Sequence, residues 1–328
     1  MRDDDEYLRN IADQMENITT SIIICTYNRP QLLRSALQSV TNVDFDPDQF
    51  EIVVVDNGSN DQSRDVFTEI SGQRRCHMSY TREERLGLSY ARNKGIELAQ
   101  GEIVVFLDDD EIVPANWLAE LIKPYADDER IACIGGRIIP VFPNDVYPPW
   151  YSREIQGFFG GVDHGDLLHE VNFPYEYLGG GNISFDKELI CKLGMFNVNL
   201  GVTGKTLYSG EENELTERIK NAGFKVLFNP NAVTYHLIER YRISRRLLYR
   251  RAFQNGISDA MTDRLRQGSS LSLLRKYSII LMKSTASYII NTLKSKAALM
   301  RASLAISRSV GKMYGWMKYT IMYRDPPK

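Results

Sequence analysis

Four carboxylates stand side by side at Asp108-Asp109-Asp110-Glu111, directly after the apolar run Ile103–Leu107. Adjacent acids repel one another, and some are pushed to higher pKa unless a cation is close. Hard divalent cations take carboxylate oxygens and keep waters that phosphate oxygens can replace. One or two of these acids could therefore hold a metal against a diphosphate and neutralise charge on a departing nucleotide. The plainer reading is a solvated acidic loop ahead of a helix near Pro114. A second acidic group, Glu211-Glu212-Asn213-Glu214, opens a stretch that continues through Leu215 and Ile219 at helical spacing. Carboxylates suit a helix N-terminus, and one of them could equally take a proton from an acceptor hydroxyl as general base.

Other polar positions fall near the same places in the pattern. Asp56 ends the run Glu51–Val55; it could accept the imide N–H of a uracil-like base edge, or close an Asx-turn with Gly58. Arg85, Arg92 and Asn93 lie on or before the helix that feeds Ile103–Leu107, where a guanidinium could meet phosphate or an acid of the metal loop. Surface ion pairs are the alternative for them. His236, at a strand end, is either an extra metal ligand or a satisfied neutral imidazole. The cysteines Cys25, Cys76, Cys133 and Cys191 show no CxxC or Cys/His ligand spacing and read as free thiols of a reducing compartment.

These residues need a scaffold, and the apolar pattern describes one. Ser21–Cys25 and Glu51–Val55 are short β-branched runs of the kind expected of strands buried on both faces. After the first, Asn28 is placed to cap a helix with Pro30 in its first turn, and Leu32, Leu33, Ala36, Leu37 and Val40 recur at helical spacing. Further helices are expected over Ser63–Ile70, Leu88–Ala99 and Asp186–Leu193. Further strands are expected over Met78–Thr81, Ile103–Leu107, Ile131–Ile139, Val226–Phe228 and Ala232–His236. Such alternation predicts a mostly parallel sheet covered by helices, in which ligands gather at the carboxyl ends of strands.

At 328 residues, 43% hydrophobic and 25% charged, the chain suits one large α/β domain with an appendage. Its net charge of -2 conceals an asymmetry: residues 1–263 carry 27 Lys and Arg against 41 acids, residues 264–328 carry 13 against one, Asp325. From Arg242 the pattern is helical and basic. Basic amphipathic helices are drawn to anionic bilayers; packing on the acidic domain and a homodimer interface are the other readings. Nothing resembling a nucleic-acid module accompanies the charge. The polar start MRDDDEYLRN does not read as a secretory signal, and no run reaches the ~18 apolar residues of a membrane span. The expected location is cytoplasmic, including peripherally on the inner face of the cell membrane through 264–324.

Taken in order, SIIICTYNRPQLL, VVVDNGSND, LGLSYARNKGIELAQGEIVVFLDDDEIVPANWL, YLGGGNISFDKELICKLGMFN and GEENELTERIKNAGFKVLFNPNAVTYH resemble the family 2 glycosyltransferases over roughly residues 19–240. The resemblance implies a GT-A fold: α/β, Rossmann-like, a mostly parallel mixed sheet flanked by helices, here with a basic helical C-terminal region at 241–328. Residues 1–18 would be an N-terminal extension, 19–139 the donor-binding half and 140–240 the acceptor half. It implies an inverting, hexosyltransferase-type enzyme assisted by Mg²⁺ or Mn²⁺, taking sugar from a UDP-sugar to a glycan or lipid-linked acceptor. Thr26, Asn28 and Arg29 would lie beside the nucleotide, Asp56 would read its base, and Asp108 and Asp109 would lie on the donor side. Asp110 would be the principal metal ligand, with Asp108 nearer the ribose. Glu212 matches the second acid of the family's Glu-Asp pair, one methylene longer, which leaves Glu211 and Glu212 both as candidate bases. Gly180, Gly181 and Asn182 would floor the space between donor and acceptor. The aromatic, proline-rich stretch 140–177, with Trp150 and Tyr177, would offer flat rings to the acceptor or fill space under a long loop. A nucleotidyltransferase is the rival enzyme class, although CTYNRPQ lacks the glycines of a phosphate loop; a non-catalytic sugar or nucleotide binder is the other rival.

Overall fold

A computed structural model describes residues 18–73, 76–173, 175–201, 210–267, 271–291 and 295–322. Residues 1–17 of the proposed N-terminal extension and the end of the basic tail lie outside them. In chain order the elements are β1 (Thr20–Thr26), α1 (Pro30–Val40), β2 (Phe50–Asp56), α2 (Ser63–Ser71), β3 (His77–Arg82), α3 (Leu88–Leu98), β4 (Ile103–Asp108) and β5 (Glu111–Ile112). There follow α4 (Trp117–Ile122), β6 (Ile131–Val141), β7 (His169–Glu170), β8 (Asn182–Asp186), α5 (Lys187–Lys192), α6 (Glu211–Asn221), β9 (Lys225–Leu237), α7 (Arg245–Gln267), α8 (Leu271–Asn291) and α9 (Lys296–Met322).

The described strands form one sheet, ordered β3-β2-β1-β4-β8-β6-β9-β5, with β7 on β9. β1, β2, β3 and β4 run parallel, whereas β8 pairs antiparallel with both β4 and β6. Successive side chains of a strand face opposite ways, and the β-branched runs use both faces. Ile22, Ile24, Ile52, Val54, Val105 and Leu107 enter one core with Leu33, Leu37, Val66 and Trp117. Ile23, Val53, Val55, Val104 and Phe106 enter the other with Ala91, Ile96, Ile190, Leu215 and Ile219. Thus α1, α2 and α4 cover one face, and α3, α5 and α6 the other.

Two expectations change. Asn28 does not cap α1: it sits at φ 54°, its Oδ1 accepts from Asn60 N at 2.9 Å, and Arg29 precedes the helix. The two strands expected around Pro230 are one, β9. Pro230 is tolerated because a proline lacks only its own donor.

The carboxylate of Glu51, 1% exposed, accepts from Ser21 Oγ at 2.7 Å and Gln100 N at 2.6 Å, with His77 Nδ1 at 3.4 Å. Burial alone would raise its pKa; the imidazole, the hydroxyl and the amide outweigh it and hold the group below its usual value. A depressed carboxylate contributes stability that is present above its unfolded pKa and lost as pH falls through the folded value. Glu51→Ala should therefore lose about 2–4 kcal/mol at neutral pH, because it orphans buried donors. The deficit should shrink below about pH 4, as the wild type loses the same contribution, in urea melts recorded against pH.

The chain divides into two compact units, the first running to Ile139 with Val162–Val198 and Leu215–His236, the second comprising Pro140–Gly161, Asn199–Glu214 and the chain from Leu237. The sequence assigned all of 140–177 to an acceptor half, but Phe142, Trp150, Ile155 and Phe159 pack with Leu248 and Ala252 of α7 and Met300 and Leu304 of α9. Within that unit α7 and α9 cross closely: a Cβ on Gly311 would lie 2.0 Å from the Phe253 carbonyl oxygen. Asp259 of α7 pairs with Arg308 at 2.7 Å and Lys312 at 3.1 Å, and Glu154 pairs with Arg301 at 3.0 Å. Part of the tail's positive charge is therefore matched inside its own unit.

Candidate active site

The parallel register brings the predicted residues of the first unit to one edge. Thr26 stands opposite Asp56, and Cys25 opposite Asp108. β1 lies between β2, which precedes the chain's crossing to β3, and β4, reached from the other side. That reversal of strand order is where an open α/β sheet leaves a crevice for ligands. Beyond β4 the chain turns through Asp109 and Asp110 into β5, whose pairing with β9 sets Glu111 opposite His236. The bridge explains why a histidine more than a hundred residues later reaches the acidic turn: His236 Nε2 is 3.2 Å from Asp110 Oδ2.

Arg29 Nη1 closes the other side, 3.2 Å from Asp109 Oδ1 and 3.1 Å from Asp110 Oδ2. Thr26 Oγ1 donates to Asp109 Oδ2 at 2.8 Å. Asp109, expected to contact donor, is instead the buried tie that holds Thr26 and Arg29 in place. Burial, opposed by Arg29 and reinforced by the charge of Asp110, pushes its pKa up to about 7. Burial and then the charge of Asp108 raise Glu111 well above the usual carboxylate range. The buried Glu111 Oε2 makes no hydrogen bond of good geometry among the described residues, and the nearby Thr234 hydroxyl only partly offsets the rise. The four acids of the turn outnumber the two guanidiniums of Arg29 and Arg92 that meet them, and a divalent cation would offset the remaining charge. No set of three or more His, Cys, Asp or Glu with metal-holding geometry occurs among the described residues. The pair on hand is therefore Asp110 and His236, and an ion held there would need phosphate and water to complete its shell.

Arg92, 2% exposed, reaches Asp108 Oδ1 at 3.3 Å and the Gly180 carbonyl at 3.0 Å, over the rings of Phe106 and Phe196. Gly180 and Gly181 earn their place by close approach: a Cβ would fall 2.5 Å from Arg92 Nη2 at the first and 2.3 Å from Glu111 Oε1 at the second. They brace the acidic turn. Gly181→Ala should displace Glu111, cost about 1–3 kcal/mol through overpacking and weaken nucleotide binding at least about ten-fold, read by thermal melts and UDP titration.

Several expected contacts prove structural. Asn182 is fully buried; it accepts from Trp117 Nε1 at 2.9 Å and donates to the carbonyls of Ala232 at 2.8 Å and Arg137 at 3.1 Å, so its amide faces protein rather than acceptor. Asn93 exchanges two 2.9 Å hydrogen bonds with the Phe196 backbone and anchors α3 rather than binding donor. Trp150 is 7% exposed inside the second unit's core, stacked on Phe159, and offers no face to a sugar. Arg85 is exposed, paired with Glu83 and lying over Tyr90; it holds Glu83 down at about 2. Tyr177 remains open at 42% exposure, edge-on to His164.

Asp56 closes the turn after β2, one residue beyond the Gly58 expected. Its Oδ1 accepts from Ser59 N at 2.7 Å, as a turn-closing carboxylate does, while Oδ2 accepts from Tyr80 Oη at 2.5 Å and lies 3.7 Å from Arg82. Tyr80 and Arg82 went unnoticed in the sequence; the alternation of HMSYTR, which turns every second side chain to one face, was the available signal. Asn57 also went unnoticed: it donates to the carbonyls of Glu83 and Arg85 and accepts from Gly87 N, fixing the loop into α3. Glu211 and Glu212 open α6, whose first turn belongs to the second unit and whose remainder from Leu215 belongs to the first. Glu211 is buried, whereas Glu212 is only partly so.

Comparison with known proteins joins these features. Glycosyl transferase family 2 matches residues 21–190. A glucosyl-dolichyl phosphate glucuronosyltransferase of Haloferax volcanii is 28% identical over 253 residues, covering 75% of this chain and 77% of that one. A mannosyltransferase, PcManGT from Pyrobaculum calidifontis, solved with GDP-Man and Mn²⁺, superposes with a TM-score of 0.60 at 18% identity over 90% of this chain and 87% of that one. GalNAc-T7, solved with UDP, GalNAc and Mn²⁺, gives a TM-score of 0.54 at 20% identity over 75% and 50% of the two chains. Both solved structures share the mixed GT-A sheet. Family membership also sets aside the nucleotidyltransferase and non-catalytic readings, and the chain belongs to glycosyl transferase family 2, as a nucleotide-sugar glycosyltransferase of GT-A fold.

Proposed function

We propose that the chain transfers a sugar from a UDP-sugar to a hydroxyl of a glycan or lipid-linked acceptor, with inversion at the anomeric carbon, and that residues 19–240 carry the reaction. The single observation behind this reading is the convergence of Thr26, Arg29, Asp56, Asp108, Asp110 and His236 at the carboxyl ends of the parallel strands. Asp56, its side chain fixed by Ser59 and Tyr80, would accept from a base edge with a remaining lone pair. Arg29 sits where a diphosphate oxygen can replace its carboxylate partners. Asp110 and His236 would hold a divalent cation, which when bound would neutralise charge on the nucleotide leaving group. A nitrogen ligand beside the carboxylate favours Mn²⁺ over the oxygen-seeking Mg²⁺. Glu212, the more open acid of α6, would take the proton of the attacking hydroxyl. A lipid-linked acceptor would place the enzyme peripherally on an anionic membrane; no described helix is long and apolar enough to cross one.

A screen of nucleotide sugars, read by released nucleotide with Mn²⁺, Mg²⁺ or chelator, tests the reading. It predicts release from a UDP-sugar, faster with Mn²⁺ than with Mg²⁺. Release only from guanosine-linked donors would overturn the base assignment, and equal rates with the two ions the metal preference.

A further inference from the structure

The second unit carries an apolar helix face that is uncovered among the described residues. α8 buries Leu273, Tyr277 and Asn291 against its unit, where Tyr277 meets Ala260. The opposite side holds Leu271, Ile279, Met282, Ile289 and Ile290, exposed by 79%, 39%, 63%, 68% and 62%. Spacings of 8, 3, 7 and 1 residues put all five within about a third of the helix circumference at ~100° per residue. Arg275 falls inside this stripe and Lys283 on its flank; both are exposed, and no acid lies within ion-pair distance of either among the described residues. On α9, by comparison, Arg301, Arg308 and Lys312 pair with acids of their own unit, while Lys296, Val310, Tyr314 and Met317 are exposed. Large exposed apolar side chains on one face mark a docking surface, and the unmatched cations select its partner.

We infer that the outer face of α8 lies in the interface of an anionic bilayer, its isoleucines and methionine among the acyl boundaries and Arg275 and Lys283 at the headgroups. This rests on and deepens the membrane-proximal reading by assigning it to the outer face of α8. A second copy of this chain would have to bring acids to Arg275 and Lys283, whereas a phosphatidylglycerol surface presents them everywhere.

The test is flotation of the intact chain with vesicles of phosphatidylcholine alone or with 30% phosphatidylglycerol. The wild type should float with the anionic vesicles only, and less at high salt. The triple variant M282Q/I289Q/I290Q should lose at least ten-fold in partitioning, and R275Q/K283Q several-fold with its salt dependence flattened. R301Q, on α9, should bind as the wild type does. Nucleotide-sugar hydrolysis in detergent-free solution should be unchanged in every variant, which separates failure of the transferase reading from failure of this one. Wild-type indifference to anionic vesicles, or equal flotation of the triple variant, would overturn the proposal. So would a dimer in light scattering that the triple variant abolishes while vesicles are ignored.

Discussion

Asp110→Asn should abolish metal-dependent nucleotide binding and lower transfer by at least about 10³-fold, with the fold intact. The substitution keeps the shape of the side chain and removes the charge. Asp110 is the point at which Arg29 and His236 converge, at 3.1 and 3.2 Å. With a neutral amide there, Arg29 and His236 each lose the charge of the carboxylate oxygen they approach at 3.1 and 3.2 Å. A cation would meet the imidazole of His236 without the carboxylate beside it. Charge is the quantity that matters because the side chain is buried: electrostatic interactions there are far stronger than in water, and an uncompensated ion is correspondingly unfavourable. Calorimetric titration with UDP and Mn²⁺, beside an assay of donor hydrolysis, reads both effects. Retention of Mn²⁺-dependent UDP binding within about three-fold of wild type would remove Asp110 from the metal site.

Glu212→Gln should separate binding from chemistry. Donor affinity should stay within about two-fold of wild type, while transfer falls about 10²–10⁴-fold, the usual contribution of a positioned base. The fall should appear in kcat rather than in KM for the donor, because the carboxylate is needed only as the acceptor proton leaves. Glu211→Gln is the internal comparison. Glu211 is 3% exposed and less able to meet an acceptor, so its substitution should register mainly in thermal stability. Exchange of these two outcomes would move the base to Glu211; unchanged turnover in both variants would remove this helix start from the reaction.

The architecture was largely legible because its strands are written without ambiguity. SIIIC, EIVVV and IVVFL are continuous and β-branched, and only a doubly covered sheet buries both faces of such runs. Polar residues directly after them are then at carboxyl ends, and Thr26, Asp56 and Asp108 needed no further information. What the sequence did not disclose was which side of each polar residue faces protein. Asn93 and Asn182 carry the same groups whether they bind a ligand or a backbone carbonyl, and only the long-range partners, Phe196 and Ala232, decide between the two. The same holds for Trp150, whose neighbours come from helices about a hundred residues later. His236 could be suspected but not placed, since its position depends on a two-residue bridge between β5 and β9. The tail's charge was visible as a total, yet the pairing of Arg301, Arg308 and Lys312 of α9 with Glu154 and Asp259 follows only from the packing.

The most direct test of the central claim is isothermal titration of the intact wild-type chain with UDP, first with excess Mn²⁺ and then with chelator. A nucleotide held at the acidic turn through a cation predicts binding with Mn²⁺ that weakens at least about a hundred-fold without it. Equal affinity in the two titrations would contradict the account.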